Sequence, residues 1–193
     1  VDAEKRFESL VLPDIRKACD LLAATHAQSG GTAGFVSFEV SPTLANDADG
    51  TLAAARRLWA EIDKPNAMIK IPATPAGIEA IADAIADGIN VNVTLIFSPK
   101  QLAAVQGAYR AGIERRFSAG FPVDRIVSVA SVFISRVDSL LDPRLPATLQ
   151  GKTAIAFAAA AYGEWLLLPP LPGGARQQML LWASTSTKNA AYR

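Results

Sequence analysis

The 193-residue chain has a single cysteine, Cys19, and a single histidine, His26. A disulfide within the chain is therefore excluded, and so are a Cys/His zinc centre and any metal cluster that needs a second histidine. One lone thiol suits a reducing compartment. An excess of charge of one sign is also missing, since 19 Lys and Arg face 18 Asp and Glu for a formal balance of +1. Phosphate-backbone binding draws on clustered surplus cations, so nucleic acid is not an expected partner, and the Arg115-Arg116 pair is too small to change that. Long apolar runs are absent as well. The most apolar segment, Ala154 to Leu168, is interrupted by Gly163 and Glu164 and followed by Pro169 and Pro170, too short and too broken to span a bilayer. No N-terminal stretch has the layout of a signal peptide, so a cytoplasmic protein without membrane contact is expected.

What is present is core material. Half of the residues are hydrophobic and 19% are charged, which excludes disorder, collagen and coiled coil. Helical periodicity alternates with short apolar runs along one domain, with no linker or repeat. Pro13 and Asp14 are expected to begin a helix with Ile15, Ala18 and Leu22 on one face. Gly30, Gly31 and Gly34 end it before a strand at 35–40. Further helices are expected over 47–62, 76–87, 100–117 and 152–167, with Gly88 closing the second of these. Further strands are expected over 67–73, 90–97, 126–134 and 179–184. Strands alternating with long helices predict βαβ units and a parallel sheet.

Alternation within the strands divides the side chains into two rows. Val36, Phe38 and Val40 oppose Ser37 and Glu39, and Ile69 and Ile71 oppose Met68 and Lys70. Val91, Val93, Leu95 and Phe97 oppose Asn90, Asn92 and Thr94. Ser131 goes with Phe133, with Arg136 just beyond, and Trp182 goes with Ser184. A doubly wound sheet would bury both rows under helices, whereas a closed (β/α) barrel gathers the polar row into one interior. A TIM barrel is the expected architecture.

Glu39 and Lys70 are the only acid and base in these strands. A lysine between two isoleucines loses hydration, which disfavours its ammonium form and makes the neutral amine a nucleophile toward ketones. Lys70 is thus a Schiff-base candidate, and Glu39 a partner for moving protons. Asn92 and Thr94 can orient hydroxyls and water, and Arg136 with Ser184 can hold an anionic group such as phosphate. A buried Lys70–Glu39 ion pair, hydrogen-bonded interior layers at Asn92 and Thr94, and a surface role for Arg136 fit the same pattern. Asn92-Val93-Thr94 spells a glycosylation sequon but falls in a buried strand. The glycines at 30–34 precede a strand, so they form no dinucleotide loop, and Cys19 and His26 read as structural or exposed.

Five segments in order resemble the transaldolase family. They are Phe35-Val36-Ser37-Phe38-Glu39-Val40-Ser41-Pro42, Met68-Ile69-Lys70-Ile71-Pro72-Ala73-Thr74, Gly88 to Ser98 with its Asn-Val-Asn-Val-Thr core, Ala130 to Asp138, and Leu181-Trp182-Ala183-Ser184-Thr185. Their wording is most similar to the branch that includes transaldolase/phosphoglucose isomerase fusions. The resemblance implies a (β/α)8 barrel represented by strands three to seven, and a class I mechanism with no metal and no cofactor. It implies Lys70 as the Schiff-base lysine, Glu39 as the glutamate acting through water, and Thr94 and Asn92 as groups at the dihydroxyacetone moiety. It further implies Ser131 and Phe133 as site walls and Arg136 and Ser184 as phosphate contacts. Lys188 follows Thr185-Ser186-Thr187 where one branch carries an arginine. The family's first-strand aspartate and second-strand Thr-Asn-Pro segment have no counterpart here, so the chain is expected to lack the N-terminal and C-terminal parts of the barrel. A complete barrel takes about 250 residues. The implied partners are sugar phosphates. A fructose 6-phosphate aldolase-like enzyme, a piece of the bifunctional fusion, and a non-catalytic fragment that needs further strands or a partner chain remain as alternatives, and the monomer or homo-oligomer question stays open.

Overall fold

The computed structural model describes residues 3–186 and 188–190. Five strands form one sheet: β1 (Val36–Glu39), β2 (Ala67–Pro72), β3 (Val91–Ile96), β4 (Ser128–Phe133) and β5 (Met179–Ala183). All are parallel and lie side by side in chain order. Each new strand therefore adds to the same edge, and the order never reverses as it would in a doubly wound sheet. The helices are α1 (Ala3–Gln28), α2 (Ala48–Ile62), α3 (Pro75–Ala86), α4 (Pro99–Ser118), α5 (Ser135–Leu141) and α6 (Thr153–Leu166). This is a parallel α/β sheet of incomplete TIM-barrel-like type, with β1 and β5 at its edges.

The sequence marks where strands give way to helices. Thr74-Pro75 and Ser98-Pro99 open α3 and α4 after β2 and β3, whereas Ser41-Pro42 after β1 opens only a three-residue 3-10 turn and Asp47 caps α2. Proline keeps its predecessor extended, which is what an N-cap requires, and then supplies the first helical residue without wasting an N–H. Thr74 Oγ1 accepts from Gly77 N at 3.0 Å and Ser98 Oγ accepts from Gln101 N at 3.2 Å. At the other end of α3, Gly88 takes φ +92°, as its expected role as a stop requires.

One face of the sheet is dry. Phe38, Ile69, Ile71, Val91, Val93, Ala130 and Val132 pack against Leu58 and Ile62 of α2, Ile81 and Ile85 of α3, and Val105 and Ile113 of α4. Full burial of one such side chain is worth about 1.5–3 kcal/mol. The opposite face has only a small apolar floor of Met68, Val127 and Val129, flanked by Phe35 and Met179. Above that floor lie the polar side chains.

Four expectations need correction. The first helix begins at Ala3, and Pro13 sits inside it. Pro13 and Ser9, whose carbonyl loses its donor, are both exposed residues, which makes the interruption tolerable. Its buried residues are Leu12 and Cys19, with Ile15 partly buried, whereas Leu22 is exposed. In β3 the alternation fails after Thr94. Val93 pairs with Ala130 but Ile96 pairs with Val132, which inserts one extra residue, and Leu95 adopts φ +61°. Ile96 therefore fills the core while Leu95 and Phe97 leave the apolar row. A left-handed leucine costs about 1–2 kcal/mol, a local strain that the surrounding contacts must offset. Third, Trp182 pairs with Val132 of the helix-covered row, so it does not share the polar row. Finally, 135–141 forms the short helix α5, where no element was expected.

Candidate active site

Glu39 and Lys70 are register partners on adjacent strands, which is why their side chains meet. Lys70 Nζ lies 3.6 Å from Glu39 Oε2, with side-chain exposures of 30% and 46%. The pair faces the open side of the sheet and is partly exposed, which does not fit the alternative of a buried ion pair. Lys70 in turn pairs with Asn92. The Asn92 amide is held at both ends: Nδ2 donates to Ser37 Oγ at 3.0 Å, and Oδ1 accepts from Ser131 Oγ at 2.7 Å. Four adjacent strands thus converge on one polar cluster. Thr94, in register with Pro72, is buried, and among the described residues its hydroxyl has no hydrogen-bond partner. A buried hydroxyl without a partner costs about 1–3 kcal/mol, so this group has unused hydrogen-bonding capacity on the strand that carries Asn92.

Asn90 differs from Asn92 despite its place in the same row. Its amide donates to the Pro65 and Ala67 carbonyls and accepts from Val127 N, so it stitches the strand entrances together.

Phe133 closes β4, two residues beyond Ser131. Its ring centroid lies 5.1 Å from that of Phe97, and the Arg136 guanidinium lies 5.1 Å above its ring. Arg136 stands in the first turn of α5. Ser184, at φ +54°, meets the start of the same helix: its carbonyl accepts from Ser135 N at 3.0 Å and from Ser135 Oγ at 2.5 Å. The two side-chain oxygens are 3.2 Å apart. Ser184 is therefore brought beside Arg136's helix, not into the Lys70 cluster. Lys188 lies further out, where Nζ donates to Ser186 Oγ at 2.6 Å and the side chain lines a cavity of about 610 Å³ with Ser135 and Asp138. Thr187, between them in the sequence, lies outside the described residues.

Two residues carried no expected role, Ser37 in the polar cluster and Phe97 against Phe133. Ser37 shares the parity of Glu39, the one signal that could have assigned it. Phe97 carried no such signal, because the bulge reverses its parity. Elsewhere His26 is structural, with Nδ1 2.9 Å from the Ala33 carbonyl and its ring edge-on to Phe35. Cys19 is buried, and burial pushes its thiol pKa up, helped by nearby Asp20 and opposed by Lys64. Among the described residues no group of three or more His, Cys, Asp or Glu is assembled for a metal ion, and no helix is long and apolar enough to cross a membrane.

Fold and site together define an α/β protein of TIM-barrel-like type whose open sheet face centres on a lysine paired with a glutamate. Residues 1–193 match the family model described as transaldolase/fructose-6-phosphate aldolase, and the chain belongs to that family. It is 52% identical over 196 aligned residues to a transaldolase of Neisseria gonorrhoeae, covering 98% of this chain and 56% of that protein. It is 46% identical over 205 residues to a transaldolase of Thiobacillus denitrificans, covering 99% and 57%. For a transaldolase of Mycolicibacterium smegmatis the identity is 44% over 205 residues, covering 99% and 55%. The chain thus spans little more than half the length of these curated relatives.

Proposed function

We propose that this chain carries the Schiff-base centre of a transaldolase, which moves a dihydroxyacetone unit from a ketose phosphate to an aldose phosphate in the pentose phosphate pathway. The observation that carries this reading is the Lys70–Glu39 contact at 3.6 Å beside an Asn92 amide held from both sides. Lys70 Nζ adds to C2 of fructose 6-phosphate or sedoheptulose 7-phosphate, and the carbinolamine loses its hydroxyl as water to give the imine. Glu39, acting through a water, relays the protons that these steps require. A base then takes the C4 hydroxyl proton, a role the family gives to the first-strand aspartate that has no counterpart in these five strands; the C3–C4 bond breaks, its electrons move into the protonated imine, and the C4 oxygen becomes the aldehyde carbonyl of the released aldose phosphate. The dihydroxyacetone unit left on Lys70 adds to the aldehyde carbon of glyceraldehyde 3-phosphate or erythrose 4-phosphate, and hydrolysis frees the product.

In this scheme Asn92 and Thr94 hold the hydroxyls of the dihydroxyacetone unit, and Ser131 and Phe133 wall it. Arg136 and Ser184 bind the phosphate from the end of the sheet, with Lys188 as an outer cation. The five strands count as the third to seventh of a barrel, in the branch that includes isomerase fusions. The reaction belongs in the cytoplasm with its phosphorylated sugars. A charge-assisted contact from Arg136 to phosphate favours phosphorylated over free ketoses.

The test is a two-product assay of the intact protein with fructose 6-phosphate, with and without erythrose 4-phosphate. Transferase action yields sedoheptulose 7-phosphate only when the acceptor is present. Release of free dihydroxyacetone at the same rate without acceptor would instead identify an aldolase, and neither product would refute both.

A further inference from the structure

We infer that Gln101 is a positioning residue: its amide locks the left-handed bulge at Leu95 and thereby sets Phe97 against Phe133, the ring on which Arg136 rests. The inference deepens the reading of Phe133 and Arg136 as the phosphate end of the site, and rests on it.

The bulge needs an external hold. Leucine disfavours φ +61°, and the extra residue between Val93 and Ile96 takes ladder groups of β3 out of register with β4. Gln101, in the first turn of α4, bonds to the backbone on both sides of that residue. Its Nε2 donates to Leu95 O at 3.3 Å and to Ala73 O, just past β2, at 2.9 Å, while Oε1 accepts from Phe97 N at 3.1 Å. One side chain therefore fixes the bulge internally and ties it to the neighbouring strand.

The consequence is a change of side. With unbroken alternation from Val93, Leu95 and Phe97 would face the helices and Ile96 the open face. With the bulge, Ile96 is fully buried in the core and Phe97 reaches Phe133 at 5.1 Å. Phe133 contacts Arg136 at 5.1 Å, so the chain Gln101, bulge, Phe97, Phe133, Arg136 is continuous. Strained backbone held in this way is characteristic of functional sites. Gln101 touches no reacting atom, so its effect is on placement.

The experiment compares Gln101→Ala, Gln101→Glu and Phe97→Ala in the intact protein. Glutamate keeps the acceptor for Phe97 N but loses both donations. The readout is kcat/KM for fructose 6-phosphate relative to unphosphorylated fructose, together with cross-peaks between the Phe97 and Phe133 rings by NMR. Both Gln101 variants should lower that ratio by about two- to thirtyfold and weaken the cross-peaks, and Phe97→Ala should lower the ratio similarly. Parallel loss for both substrates, or an unchanged ratio with cross-peaks retained, would overturn the inference and leave Gln101 a merely structural residue. Arg136→Ala is run alongside. Should it leave the ratio unchanged, the phosphate reading fails, and the cross-peaks alone then decide whether Gln101 holds the bulge: their retention in Gln101→Ala overturns the inference, and their loss upholds it.

Discussion

The hydroxyl of Ser131 donates to Oδ1 of Asn92 at 2.7 Å, so the amide at the centre of the polar cluster is held from β4 as well as from β1. With Oδ1 engaged by Ser131, Nδ2 is directed to Ser37 at 3.0 Å. A net hydrogen bond of this kind is worth about 0.5–1.5 kcal/mol, or roughly two- to tenfold in an equilibrium. Ser131→Ala should therefore lower kcat/KM by about that factor. Asn92→Asp should do more, because it loses the donation to Ser37 and adds a charge next to Lys70's strand position. Steady-state kinetics checks both, and an Asn92→Asp enzyme as active as the Ser131→Ala enzyme would contradict the amide's role.

Glu39 separates rate from stability. Its contact with Lys70 is half exposed, and pairs of that kind contribute about 0–1 kcal/mol to folding. Glu39→Gln should then leave the melting temperature nearly unchanged. Proton transfer by a placed carboxylate is worth about 10²–10⁴ in rate, so imine formation with fructose 6-phosphate should slow within that range in rapid-mixing experiments. A large loss of stability with an unchanged rate would mark the glutamate as structural.

Alkaline pH should destabilise the fold. Cys19 and Tyr109 are buried, and burial raises both pKa values, although Arg176 opposes the rise at Tyr109. In the unfolded chain these groups release protons at about pH 8.5 and 10, while the native state still holds them. The unfolded state therefore binds fewer protons above those values, and stability falls as pH rises through them. Urea midpoints measured from pH 7 to 10.5 should decline, and Cys19→Ser should remove the lower-pH part of the decline.

Gly34 supports a close approach between α1 and the start of β1. At φ +75°, a Cβ there would lie 2.7 Å from the His26 backbone nitrogen and 2.9 Å from the Leu22 carbonyl oxygen. Backbone atoms cannot yield as a side chain can, so Gly34→Ala should cost more than about 1 kcal/mol. Thermal unfolding checks this, with Gly120→Ala as a comparison, since its left-handed φ of +81° carries the same conformational strain but a Cβ there meets no neighbour.

The end of α3 was legible because it is written in local chemistry, in the glycine at 88, and the Thr74-Pro75 and Ser98-Pro99 caps carry a local signal of the same kind for the starts of α3 and α4. The Lys70–Glu39 pair was legible because β1 and β2 alternate without fault, so parity alone placed both side chains on one face. Parity failed at Leu95 and Phe97, where one inserted residue exchanges the two faces and the stabilising amide comes from α4. It failed also at Trp182, because Ser184 leaves the extended conformation and so breaks the alternation that seemed to join them. Pro13 misled for another reason: a proline marks a helix start only where its lost donor and its ring cannot be accommodated, and on an exposed helix face they can. The floor of Met68, Val127 and Val129 depends on which residues meet across strands, which no single strand reveals.

The central claim is a covalent one, that Lys70 forms an imine with a ketose phosphate. Borohydride reduction of the intact protein with fructose 6-phosphate, followed by peptide mass mapping, tests it most directly. The account predicts a reduced dihydroxyacetone adduct on the peptide containing Lys70, absent from Lys70→Ala. An adduct that persists in Lys70→Ala, or a folded and unmodified Lys70 after reduction, would contradict it.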